Sequence, residues 1–99
     1  MKQYIFDQFV ENILKHTGYS KEQLFAPSRK SEVADARRVL YKLCKDRGFP
    51  NKVIESYMKE NGFVCFPNTI PQALSSLEKA MANDPDYQVI INKLSNVEV

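Results

Sequence analysis

The stretch KSEVADARRVLYKLCKDR, Lys30 to Arg47, decides how this chain is read. Val33, Ala36, Leu40, Leu43 and Cys44 recur at spacings of three and four, the period of an α-helix with one buried face. Gly48 follows as a natural stop. On a wheel turning about 100° per residue, Lys30, Arg37, Lys45, Arg38 and Lys42 fall along one flank of that stripe. Asp35, Asp46 and Glu32 gather on the other. Glu32 and Asp35 suit the start of the helix dipole and Lys45 and Arg47 its end. Arg37 and Arg38, in mid-helix, have no such role.

A helix of this kind needs apolar partners, and the chain supplies them on both sides. Ile5, Phe6, Phe9, Val10, Ile13 and Leu14 mark a helix from about Lys2 to Thr17, with Gly18 just beyond it. Ser20 and Gln23 have capping-box spacing ahead of Leu24 and Phe25, predicting a short helical turn that Ala26-Pro27-Ser28 breaks. Downstream, Pro50 suits a first helical turn, and Val53, Ile54, Tyr57 and Met58 carry a helix to Asn61-Gly62. The connection from Gly62 to Pro67 holds Phe63, Val64, Cys65 and Phe66, which are too apolar for a solvated loop and are expected to pack down. A further helix starts at Asn68 or Thr69 and runs to about Ala82 on Ile70, Ala73, Leu74, Leu77, Ala80 and Met81. Asp84-Pro85 caps a last one with Val89, Ile90 and Leu94 inward, and Ser95 to Val99 are expected to fray. The expectation is an all-α, compact bundle of about five helices in one domain, residues 1–99.

Composition narrows the function. Hydrophobic residues make up 43% and charged residues 26%, within the range of ordinary globular chains. No apolar run approaches a membrane span and the N-terminus lacks a signal-peptide core, so a cytoplasmic protein without membrane contact is expected. Cys44 and Cys65 form no CxxC pair, and Cys44 reads as a small core residue. A structural zinc site takes about four N/S ligands, more than Cys44, Cys65 and His16 provide, so no metal is expected. Around His16 there is no paired nucleophile, and the three glycines form no phosphate loop. No enzymatic activity, cofactor or small-molecule substrate is expected.

The formal net charge of +2 hides a polarity along the chain. Residues 28–52 carry eight Lys and Arg against three acids, residues 53–99 three against six, and residues 1–27 are balanced. A basic turn, Ser28-Arg29-Lys30, leads into the positive flank of Arg37, Arg38 and Lys42, a suitable platform for phosphates. The helices at 50–62 and 68–82, joined by a short glycine-containing connection, fit a helix-turn-helix. Opposite the core face of the second lie Asn68, Gln72, Ser75, Ser76 and Lys79. Asn and Gln can bond an adenine edge in two places, and Ser can reach any base.

The run from Phe9 to about Ile54 resembles the C-terminal DNA-binding domain of the bacterial chromosomal replication initiator, DnaA. Gly18-Tyr19-Ser20 with Leu24, Ser28-Arg29-Lys30, Ala36 through Leu43, and Gly48-Phe49 with Ile54 carry the likeness. Thr69-Ile70, Ala73 and Leu77-Glu78 extend it more weakly. The resemblance implies phosphate contacts at Arg29, Lys30 and Arg37 and places Thr69 in the recognition motif. Where that family has Gly-Gly-Arg-Asp-His-Thr-Thr-Val, this chain has Phe63 through Ile70, without the Arg, Asp or His. Double-stranded DNA binding with weak or relaxed sequence specificity is therefore expected, in a protein whose size and lost signature would suit a phage. The alternative is a protein-interaction or self-association module on the same scaffold, with Phe63, Val64 and Phe66 as its exposed apolar patch.

Overall fold

The computed structural model describes residues 2–27 and 30–97. Six helices follow one another: α1 (Lys2–Thr17), α2 (Lys21–Phe25), α3 (Ser31–Asp46), α4 (Asn51–Glu60), α5 (Thr69–Asn83) and α6 (Asp86–Leu94). No described residue is in a strand. The short turn expected after Ser20 is a helix in its own right, which makes six where about five were expected. Its capping box is present: the Gln23 N–H donates to Ser20 Oγ (3.1 Å) and the Ser20 N–H to Gln23 Oε1 (2.8 Å).

Helix α3 is the hub, packing against α5, α1, α2, α4 and α6. All five residues of its expected stripe are buried, together with Arg37, Val39 and Tyr41. On the wheel these eight cover about 200°, roughly twice the apolar arc of a helix that covers a core from one side. One continuous core results, into which every helix sends at least two buried side chains, among them Phe6 and Phe9 from α1 and Ile91 and Leu94 from α6. Burying a side chain of that size stabilises by about 1.5–3 kcal/mol. The radius of gyration, 12.4 Å, matches the ~13 Å of a compact chain of this length.

Two helices end alike, and these endings position the surface of the candidate site. Gly48 (φ 92°) and Gly62 (φ 93°) adopt the left-handed conformation that a side chain disfavours. The next residue then turns back: the Phe49 N–H bonds Cys44 O (3.0 Å) and the Phe63 N–H bonds Met58 O (2.9 Å). Both are Schellman closures with an aromatic residue placed to pack on the helix just ended. Phe49 is fully buried and Phe63 partly.

The connection 61–68 packs down only at alternate residues. Phe63 and Cys65 lie against the core, while Val64 and Phe66 point outward and are 60% and 66% exposed. Extended backbone alternates its side chains, so an unbroken apolar run cannot all turn inward. This connection is longer than the roughly 3–4-residue turn of a helix-turn-helix. Helix α5 lies chiefly along α3, and the helix-turn-helix expected of α4 and α5 is not confirmed. At the other end of the chain, Asn12 Nδ2 donates to Leu94 O (3.0 Å) and Asn96 O (3.1 Å), and Val97 packs on the core. The chain is thus tied down as far as Val97, where fraying was expected from Ser95 on; residues 98 and 99 lie outside the described residues. No described helix is long and apolar enough to cross a membrane.

Candidate functional site

Arg37 joins the connection after α2 to the connection after α4. Its Nη1 donates to Leu24 O (3.0 Å) and Ala26 O (3.1 Å), carbonyls at the C-terminal end of α2 that have no helical partner. Its guanidinium carbon stands 4.6 Å from the centroid of the Phe63 ring, a cation–π contact. The side chain is 7% exposed. Burial lowers the Arg37 pKa from its ordinary value, and the positive charge of Arg38 pushes the same way against the influence of Tyr41. Arg37, expected at the sequence level to hold a phosphate, thus has a structural role that the sequence reading did not foresee. The wheel already contained the signal, since Arg37 falls between Cys44 and Tyr41, both buried.

Arg38 is placed differently. It is half-buried, and among the described residues its guanidinium has no hydrogen-bond or ion-pair partner. It lines a groove of about 290 Å3 between α3 and α5, formed by Ala34, Arg37, Arg38 and Tyr41 on one side and Thr69, Gln72, Ala73 and Ser76 on the other. Each set follows the same three- and four-residue spacing, so each is one face of its helix. Phe63 also lines it, and no described residue lining the groove is acidic. On α3, the Asp35 carboxylate is engaged by Tyr87, whose Oη donates to Asp35 Oδ1 (3.1 Å).

The remaining expected residues divide. Lys30 is exposed at the N-terminus of α3; Ser28 and Arg29 lie outside the described residues. Lys42 bonds Asp46 at 3.0 Å, so the two charged flanks of the wheel meet across one turn and are not segregated there. Lys42 and Lys45 border a separate concavity with Leu74, Leu77, Glu78 and Met81. Asn68, at the N-cap of α5, and Ser75 and Lys79 on the helix are exposed outside the groove, whereas Thr69 and Gln72 line it. Ser76 joins them there, four residues beyond Gln72 on the same face. Phe63 is covered by Arg37, so only Val64 and Phe66 of the expected apolar patch stand out, beside Pro27.

The entry to α5 explains the position of Thr69. Its Oγ1 accepts the Phe66 N–H (2.9 Å) while its own N–H donates to Phe66 O (2.9 Å), the reciprocal bonding of a helix first turn. Pro67 sits between them, where a missing N–H costs nothing. The hydroxyl proton of Thr69 remains available to a ligand.

The sulfur chemistry is subdued. The Cys65 thiol and the Tyr41 hydroxyl lie 3.8 Å apart, and burial raises the pKa of both. Burial also pushes the Cys44 thiol up to about 12. No group of three or more His, Cys, Asp or Glu suited to a metal ion occurs among the described residues. Comparison with known proteins found no matching family model, no matching curated protein and no matching solved structure.

Proposed function

We propose that this chain binds double-stranded DNA, with low sequence selectivity, through the face where α3 and α5 meet. The observation that supports it is the meeting of Arg38 with Thr69, Gln72 and Ser76 across one groove without a lining carboxylate. Arg38, Lys30 and the hydroxyl of Thr69 serve phosphates, for which guanidinium, ammonium and hydroxyl donors are suited. Gln72 can bond an adenine edge, and Ser76 can reach a base of either kind. A single amide reader gives little discrimination, so most of the affinity is electrostatic.

Such binding must weaken with salt. With about two phosphates neutralised, by Arg38 and Lys30, raising salt fourfold from about 50 to 200 mM lowers affinity by about 12-fold through counterion release. Fluorescence anisotropy of a labelled duplex measures this directly. Affinity that is independent of salt, or unchanged in an Arg38→Ala/Gln72→Ala double variant, rules the reading out.

A further inference from the structure

Another face of α3, where it meets α1 and α6, borders a cavity of about 250 Å3. Its apolar lining is Ile13 from α1, Ala36 and Val39 from α3, and Ile90 and Leu94 from α6. Glu32 and Asp35, one turn apart on α3, also line it, with Tyr19, Tyr87, Thr17 and His16; no described lysine or arginine does. Neither carboxylate forms an ion pair among the described residues. Asp35 accepts the Tyr87 O–H (3.1 Å), which orients that carboxylate and leaves its charge in place. Burial and Asp35, with a smaller contribution from Asp84, raise the Tyr87 pKa, and Arg38 acts weakly the other way. The rim is fastened as well: Thr17 Oγ1 donates to Ile13 O (2.8 Å) and accepts the Tyr19 N–H (3.2 Å). A wall set before a ligand arrives loses little entropy on binding.

A concave, mostly apolar lining with a few polar groups is the general form of a small-molecule site. The volume falls just below the roughly 300 Å3 at which common ligand pockets begin, so the guest must be small. Carboxylates select a positive charge, and tyrosine rings attract organic cations. An anion would face two carboxylates, and a neutral guest would gain nothing from them. We infer that this cavity binds a small organic cation, an ammonium group on a short apolar or aromatic body. Lys15 and Lys93 border a neighbouring concavity that shares His16 and Leu94. Leu94 is two turns of α6, about 10 Å, from Tyr87, so the ammonium belongs beside Asp35 and Tyr87 and the body toward Leu94. The lining comes from three separate stretches, 13–19, 32–39 and 87–94, so no local motif announces it. No small-molecule ligand was expected from the sequence for that reason.

Titration followed by amide NMR tests this with two probes alike in size, benzylammonium and neutral benzyl alcohol. At about pH 8 the amine is charged and imidazoles are as a rule neutral. Benzylammonium should shift the amides of residues 13–19, 32–39 and 87–94 and saturate, with a Kd on the order of 1–10 mM. It should bind at least about three times more tightly than benzyl alcohol, the gain of a solvent-accessible ion pair. Glu32→Gln/Asp35→Asn should remove most of that preference. The amide at position 35 keeps an oxygen for the Tyr87 O–H, and Glu32 is exposed, so the variant should melt within a few degrees of the wild type, which circular dichroism checks. Equal affinity for the two probes, a preference that survives the double substitution, or no saturation below about 50 mM overturns the proposal. So does saturation centred on the groove between α3 and α5. Helix α5 lines no part of this cavity, so a duplex that fails to bind leaves the result untouched and the two readings fail separately.

Discussion

The guanidinium of Arg37 lies 4.6 Å from the ring centroid of Phe63, and the same group holds the carbonyls of Leu24 and Ala26. One side chain of α3 thereby fixes both connections that border the candidate site. Removing it in Arg37→Ala strands two carbonyls, at about 1–3 kcal/mol for a buried unsatisfied group, and forfeits a cation–π contact of about 0.5–2 kcal/mol. We expect a loss of about 2–4 kcal/mol in urea unfolding. Phe63→Leu should cost less, and the double variant should be less destabilised than the sum of the two, with a coupling above about 0.5 kcal/mol. Strict additivity would show that the contact contributes nothing.

Arg38 provides the contrast one residue along. It is half-buried and has no hydrogen-bond partner among the described residues, so Arg38→Ala should change stability by less than about 0.5 kcal/mol. Duplex affinity should nonetheless fall, and the slope of log affinity against log salt should shrink by about 0.9, the value for one lost phosphate contact. If Arg37→Lys, a variant with a charge but no fork, loses stability while keeping the salt slope, the division of labour between the neighbours is established.

The helix framework was legible in the sequence because its signals are local. Gly18 and Gly48 stop helices, Ser20 and Gln23 cap one, and Val33, Ala36, Leu40, Leu43 and Cys44 keep a helical period. What was not legible depends on how many neighbours a helix has. The wheel orders residues around α3, but it cannot say how wide an arc the other helices cover, and that width put Arg37 inside. In the same way, the composition of 63–66 gives its apolarity, while the closure at Gly62 decides which alternate side chains turn in. The groove was half visible: Gln72 and Thr69 were placed on it, but Ser75 faces about 100° away from Ser76, and Lys79, on the face of Gln72 and Ser76, lies a turn further along α5, so where α3 packs along α5 decides which of them line the groove.

Burial of three weak acids sets a direction for alkaline stability. Cys44, with its pKa moved from 9.0 to about 12, keeps its proton in the folded chain where the unfolded chain has lost it. Tyr41 and Cys65 are shifted the same way. Their contribution is fully present below the unfolded values and is lost as pH rises through the folded ones. Urea midpoints in reductant should therefore be flat near neutrality and fall from about pH 9, by up to about 1.4 kcal/mol per pH unit for each group titrating. Cys44→Ala, less stable at pH 7 because of its cavity, should show a shallower alkaline fall; an identical slope would mean that Cys44 is not the group responsible.

The closure that places Phe63 offers a last test. Gly62 has φ 93°, and a methyl group added there would meet nothing within 4 Å, so the cost of Gly62→Ala is conformational and not steric crowding. An L-residue in the left-handed region costs about 1–2 kcal/mol, which the urea midpoint should report at unchanged m. If the backbone relaxes to avoid that cost, the Phe63 N–H leaves Met58 O and the ring moves off Arg37. The coupling measured between Arg37 and Phe63 should then fall towards zero in the Gly62→Ala background. A coupling that survives intact would show that Arg37 holds Phe63 without help from the turn.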